Sequence, residues 1–291
     1  MRWYISSHCS AKPRIGDALR ELADAGFTAI ELTGGTAYYE GVVEDVEAVR
    51  AEYGLSFAVH NYFPPQRNEF VLNPATANPL SRKRVVEFVR AAMRLSKRWG
   101  NGVYGMHPGF LCEMSPELRD RYFVACERVP RGHALFYAML DELHAIAVEE
   151  GISLAIENLA PRTAEDRFSF LCDDQEIAEF LRFCAKKNRL GILLDLAHLG
   201  VSASVLGFDR DVAVRGIFEA HAGMIRELHL SEHSESVDRH GLTQRGSWQL
   251  EVLKTYRDRL RGLAVVFEWH HCDPAVARKE FLAIIESVEG A

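Results

Sequence analysis

The 291-residue chain is poor in the features that place a protein quickly. Its six cysteines (Cys9, Cys112, Cys126, Cys172, Cys184 and Cys272) include no CxxC pair. In a chain of this size that argues against a disulfide framework and against a cysteine-rich structural zinc site. Cys9 and Cys272 lie at the ends of strand-like runs and are the two placed to approach a site. No apolar run nears the roughly 18 residues of a membrane-spanning helix. The opening MRWYISSHCSAKPR lacks the basic segment, apolar stretch and small-residue cleavage site of a signal peptide. The expectation is a cytoplasmic protein with no membrane partner. Basic residues are in deficit, with 34 Lys and Arg against 41 Asp and Glu and a net charge of −7. That balance argues against a general nucleic-acid binder, which presents a basic face. No G-x-G-x-x-G turn follows an early strand, which argues against a dinucleotide-binding doubly wound sheet.

What the chain does have is a regular alternation of strand-like and helix-like segments. Hydrophobic residues make up 48% of it and charged residues 26%, enough for a sizeable core in an ordinary soluble protein. Strands are expected over Arg2–Cys9, Phe27–Leu32, Leu55–His60, Gly102–His107, Ser153–Asn158, Leu190–Leu199, Ile225–Leu230 and Leu263–Glu268. Helices are expected between them, including one capped by Ser81 and running to Trp99, one over Gly132–Glu150 and one closing the chain at Pro274–Val288. Eight strand–helix units without a second composition regime or a linker indicate a single-domain (β/α)8 barrel over residues 1–291. Long connections follow the third and fourth strands, and the second is expected to hold a short helix after Pro116. Both lie on the side where barrel active sites form.

The centre of this organisation is LGILLDLAHL at Leu190–Leu199. Seven of its ten residues are Leu, Ile or Ala, as in a strand buried on both faces. Yet it carries Asp195 and His198 near its C-terminal end. Six further stretches repeat that polarity: FAVHNY with His60, VYGMHPG with His107, LAIENL with Glu157, ELHLSEH with His229 and His233, VDRHG with Asp238 and His240, and VVFEWHH with Glu268, His270 and His271. An unpaired buried carboxylate is costly, so ion-ligand duty is the leading explanation. Taken singly, His60 or His107 is equally compatible with a satisfied core histidine, Asp195 with a helix cap or ion pair, and Asp238 and His240 with loop residues. Jointly they indicate a metal centre.

Barrel closure brings together Glu157, Asp195, His229 and Glu268, spaced by 38, 34 and 39 residues, each about one strand–helix unit. Three carboxylates and an imidazole suit Mn²⁺, Mg²⁺, Co²⁺ or Zn²⁺. HNYFPP after the third strand suggests an aromatic-walled pocket, with Tyr62, Phe63, Trp3 and Trp269 as candidates to stack on a sugar face, although residues of this kind are more often core.

The chain resembles the xylose isomerase-like barrel superfamily, which includes sugar isomerases, sugar epimerases and endonuclease IV. IENL at Ile156–Leu159, LDLAH at Leu194–His198, HLSEH at His229–His233 and FEWH at Phe267–His270 are similar to its four metal-site strands. The resemblance implies that Glu157, Asp195, His229 and Glu268 hold the main ion. HPG at His107–Gly109 and DRH at Asp238–His240 resemble the endonuclease IV branch in particular. There, further ions take residues matching His60 and His107 with Glu157 shared, and His198, Asp238 and His240. The chain departs from that branch in LAPRT after the fifth strand, in the glycine spacing of DRHGLTQRGSW and in lacking basic DNA-facing loops.

Two enzymatic readings follow from the resemblance. In a sugar or sugar-phosphate isomerase or epimerase, one ion would stabilise an enediolate while Glu157 and Glu268 exchange the proton as base and acid. His198 would then bind a substrate hydroxyl, and Arg239 or Arg245 a phosphate. In a metal-dependent phosphoesterase, two or three ions would be bound and His60, His107, Asp238 and His240 would all be ligands. The acidic charge and missing basic loops put the isomerase first, with a small sugar or sugar phosphate rather than nucleic acid as partner. A non-catalytic sugar-binding barrel is the third reading, and a homo-oligomer is compatible with all of them.

Overall fold

A closed ring of eight parallel strands forms the centre of the protein. The computed structural model describes residues 1–100, 102–113, 129–161, 163 and 168–290. The expected helix after Pro116 lies outside these residues. The strands are β1 (Arg2–Ser6), β2 (Ala29–Leu32), β3 (Ser56–His60), β4 (Val103–Met106), β5 (Ser153–Glu157), β6 (Leu190–Asp195), β7 (Ile225–Leu230) and, after a two-stranded ribbon of β8 (Glu232–His233) and β9 (Asp238–Gly241), β10 (Ala264–Phe267). Each pairs with its neighbour in parallel, and β1 closes the ring on β10 with Trp3 opposite Val265 and Ile5 opposite Phe267. The (β/α)8 architecture is therefore as expected.

Helices α1 (Ile15–Asp24), α2 (Val42–Tyr53), α3 (Pro79–Trp99), α4 (Gly132–Glu150), α5 (Asp174–Cys184), α6 (Leu196–Leu206), α7 (Arg210–His221), α8 (Trp248–Thr255) and α9 (Pro274–Glu289) surround the barrel. Their buried faces and the outward strand residues form one continuous apolar core. Two small separate clusters, Tyr4–Ala58–Ala264–Val266 and Val103–Ala155–Leu193, lie on the other strand faces. Ala58, Ala155, Leu193 and Val266 each precede an ionisable residue by two positions. Strand side chains alternate faces, so the ionisable residues stand one layer above them inside the barrel.

Two sequence expectations need correction. Helix α3 starts earlier than Ser81: Asn78 accepts hydrogen bonds from the N–H groups of Leu80 and Ser81, and Pro79 occupies the first turn, where a missing N–H costs nothing. The Leu190–Leu199 stretch is also not one strand. Asp195 ends β6 and caps α6 by accepting from the His198 N–H at 2.7 Å. The helix-cap reading of Asp195 therefore holds through Oδ1, while Oδ2 has no hydrogen-bond partner.

Candidate metal centre

Glu157, Asp195, His229 and Glu268 converge as the strand arithmetic requires. All four are buried, and their ligand atoms lie within 4.8 Å of one another. Among the described residues four further groups adjoin this one: His60 and His107 with Glu157, His198 with Asp238 and His240, His240 and Glu268 with His270, and Glu31 and His60 with His229. The structure thus brings all nine sequence candidates together at the barrel mouth. His198 reaches the site from the first turn of α6, and Asp238 and His240 from β9.

Glu157 joins two of the groups. Its Oε2 is 3.4 Å from His60 Nε2 and 3.3 Å from His107 Nε2, and its Oε1 is 3.3 Å from His198 Nδ1. Neither oxygen has a hydrogen-bond partner, and neither does Asp195 Oδ2. Ligand atoms around one tetrahedral zinc stand about 3.3 Å apart, given metal–ligand bonds of about 2 Å. Orphaned buried carboxylate oxygens at that spacing from imidazole nitrogens are what a divalent cation resolves, so the donor set fits such an ion.

The supporting hydrogen bonds orient the donors. Asn158 pins the end of β6: its Oδ1 accepts from the Asp195 N–H at 2.8 Å and its Nδ2 donates to the Asp195 carbonyl at 2.9 Å. His198 Nδ1 lies 2.9 Å from the Asn158 carbonyl, which can only accept, so this nitrogen carries the proton and Nε2 faces Asp238 Oδ2 at 3.0 Å. His240 Nε2 meets the same oxygen at 2.6 Å, and Ser231 Oγ donates to Asp238 Oδ1 at 3.3 Å. Gly105 stands beside His60, where an added Cβ would come within 3.0 Å of Nδ1 and 2.7 Å of Leu193 Cδ1. Only glycine leaves that ring its place.

Burial and charge tune the groups in opposite directions. Desolvation lowers the His60 pKa to about 3, so this imidazole is neutral, as a ligand must be. Desolvation raises Asp195 to about 6 despite the nearby His198. His240 is raised to about 9, because Asp238 and Glu268 outweigh its burial. His198 and His229 are raised as well, by the carboxylates around them and against burial.

A cavity of about 760 Å³ opens over the centre. Ligand candidates His60, His107, His198, Asp238, His240 and Glu268 line it, between apolar walls that include Phe110, Leu159 and Val237. Of the expected substrate contacts, Tyr62 lines the cavity, and its hydroxyl accepts from the Leu72 N–H at 3.0 Å. The other four do not line it. Phe63 is fully buried against Trp99, and Trp269 is fully buried with Nε1 donating to Thr243 Oγ1 at 3.0 Å. Both belong to the continuous apolar core. Arg239 is exposed, and Arg245 is drawn off by a bidentate pair with Glu280 at 2.9 and 3.0 Å. Among the described residues no Lys or Arg lines the cavity. Trp3 stacks on Phe267 and donates to Glu289, away from the mouth. His233 accepts from Trp248 and is not part of the lining, and Cys9 and Cys272 adjoin each other through backbone rather than line it.

Sequence reasoning passed over four groups. His8 lines the cavity with its Nδ1 3.2 Å from His270 Nε2, and Gly35 is tight against its ring. Asn158 was visible in IENL but has a role only once β6 lies beside it. Glu31 and Glu227 are buried inside the barrel below His229. Glu31 obeys the same rule as the ligands, an acid near the end of an apolar strand, and that signal could have found it.

No helix among the described residues is long and apolar enough to cross a membrane. Comparison with known proteins finds the uncharacterized protein MJ1311 of Methanocaldococcus jannaschii, 24% identical over 285 residues, covering 97% of this chain and 88% of that one. Among solved structures, a D-tagatose 3-epimerase-like protein superposes with a TM-score of 0.74 at 21% identity, over 100% of this chain and 99% of the other. D-psicose 3-epimerase of Clostridium cellulolyticum H10, solved with D-tagatose, gives 0.67 at 14% identity, over 100% and 99%. At these identities the likeness is one of fold. The sequence profile of the xylose isomerase-like TIM barrel family matches residues 19–285, so the chain belongs to that family.

Proposed function

We propose that the protein is a divalent-metal-dependent phosphoesterase acting on a small substrate, with three ion positions. The observation that carries this reading is that the nine candidates fall within three of the five clusters of possible ligands that the described residues form. A single-ion enzyme has no use for His60, His107, Asp238 and His240 as donors, yet each is held at ligand spacing. His60, His107 and Glu157 would hold one ion, Glu157, Asp195, His229 and Glu268 a second, and His198, Asp238 and His240 a third. Bound divalent ions supply the acidification of a water and the neutralisation of phosphoryl oxygens. The chain's own residues do the rest. Asn158 and Asp238 fix the donor geometry, while Phe110, Leu159 and Val237 narrow the mouth and limit water. With no Lys or Arg in the described lining, an anionic group has the ion positions and the imidazoles around them to bind to. The cavity size and the acidic net charge favour a compact ester over nucleic acid.

A second reading is favoured by a different observation. Glu157 and Glu268 stand within the same four-residue group, placed to take and return a proton on a bound sugar. D-Tagatose 3-epimerase-like and D-psicose 3-epimerase proteins share the fold. In that case the substrate is an unphosphorylated sugar, because Arg239 and Arg245 are not available to a phosphate. Elemental analysis of the purified protein with p-nitrophenyl phosphate, bis-p-nitrophenyl phosphate and a ketohexose panel separates the two. Three ions per chain with ester cleavage is the expected result. One ion with ketose interconversion would overturn it in favour of the epimerase.

A further inference from the structure

We infer that Glu31, backed by Glu227, is a positioning residue that holds His229 in the tautomer needed to present Nδ1 to the central ion position. This rests on the metal-centre reading above. His229 is fully buried, and its two ring nitrogens face different carboxylates. Nδ1 lies 3.2 Å from Glu268 Oε2, on the side of the four-residue group. Nε2 lies 2.9 Å from Glu31 Oε1 and 3.6 Å from Glu227 Oε1, on the inner side.

The placement follows from strand alternation. Glu227 precedes His229 by two residues on β7, so it shares the inward face one layer deeper. Glu31 reaches the same point from β2, with the strand register setting it beside Ala58. Both carboxyls are buried; Glu31 Oε2 and both Glu227 oxygens lack a hydrogen-bond partner, leaving His229 as the ring that Glu31 contacts. Acids this deep are expensive unless they answer a specific donor. Both nitrogens face carboxylates, which accept; once an ion takes Glu268 and Nδ1, the hydrogen is left on Nε2, where Glu31 accepts it. A carboxylate behind a ligating histidine is a recurrent arrangement that fixes the ring and raises its basicity.

The test uses the full chain stripped of metal and titrated with Zn²⁺ against a chelating indicator, for wild type, Glu31→Gln and Glu31→Leu. The Leu variant is expected to bind the central ion about 10- to 100-fold more weakly. The Gln variant, whose amide oxygen still accepts the Nε2 hydrogen, is expected to recover part of that loss. The Leu variant should melt lower than wild type in any case, because it leaves the buried Nε2–H of His229 without its acceptor; a purely structural acid would show that loss with zinc affinity unchanged. Equal zinc affinity in wild type and the Leu variant would overturn the inference while leaving the metal centre intact. Loss of one whole ion per chain would overturn it too, by making Glu31 a ligand. Failure of the wild type to bind zinc would overturn both readings. Should the variants not fold, nitrogen-15 spectra of zinc-loaded wild type decide: hydrogen on Nε2 of His229 supports the inference, and hydrogen on Nδ1 overturns it.

Discussion

The central and outer ion groups are built from the same residue types but from different parts of the chain. Glu157, Asp195, His229 and Glu268 come from the ends of β5, β6 and β7 and the residue after β10, and all four are buried. Neighbouring strands fix them on both sides, with Asp195 directly opposite His229 in the sheet register. The outer group takes His198 from the start of α6 and Asp238 and His240 from a short ribbon outside the barrel, and two of its members are partly exposed. The difference teaches that the barrel rim provides one rigid position, while the outer position depends on loop structure. Ions in the two should differ in affinity and exchange, even though the donor chemistry is alike.

The strongest way to break this contrast is to remove the residue on which the groups meet. Glu157→Gln should reduce ester hydrolysis on the order of 10³-fold, and Glu268→Gln should do the same while circular dichroism reports an intact fold. Either variant with near wild-type turnover would remove that residue from the chemistry. Asp238→Asn should act more locally. It should lower activity about 10²-fold and empty the outer position first, with the central ion retained through mild chelation. Simultaneous loss of all ions from Asp238→Asn in elemental analysis would erase the distinction between rim and ribbon.

The same contrast explains what could be read in the sequence. Strand order, barrel closure and the four rim candidates follow from a repeated pattern, apolar residues ending in an acid or imidazole, and such a pattern is local. His198, Asp238 and His240 were visible as single candidates in LDLAHL and VDRHG, but their grouping as one ion site came only from the family resemblance, because ribbon residues carry no periodicity. Phe63, Trp269, Arg239 and Arg245 were misplaced for a different reason. Whether an aromatic next to a ligand faces the cavity or the helix layer depends on the turn after the strand, and whether an arginine is free depends on partners such as Glu280, 35 residues away. Glu31 and Glu227 became meaningful only when β2 and β7 faced each other across the barrel.

Asn158 links the rim to folding stability. It makes two hydrogen bonds to the Asp195 backbone in a fully buried setting. Asn158→Ala leaves that N–H and carbonyl without partners and should cost about 1–3 kcal/mol, measured by urea unfolding of the metal-free protein. Because the bonds also hold Asp195, zinc affinity should fall in parallel. A variant that loses stability with unchanged affinity would show that the rim is rigid without this brace.

A site remote from the mouth gives the smallest effect and completes the contrast, because it should move stability alone. Asp45 on α2 accepts from the Tyr39 hydroxyl at 2.6 Å and from Arg20 on α1 at 2.8 Å. Burial pushes its carboxyl upward, but these two hydrogen bonds and the Arg20 charge outweigh it and hold the pKa below the ordinary 3.8. A carboxyl lowered by folding stabilises the protein above its unfolded value, and that contribution is lost as pH falls through the folded one. Asp45→Asn should therefore cost about 1 kcal/mol at pH 7, a modest figure because Arg20 is partly exposed and screened. The gap between wild type and variant should close in acid, as the wild-type carboxyl takes up its proton. Ester hydrolysis and zinc affinity should not change at any pH where both proteins are folded. A gap that persists unchanged at the lowest accessible pH would mean that packing of the α1–α2 contact, rather than the carboxylate charge, sets the stability of this outer layer.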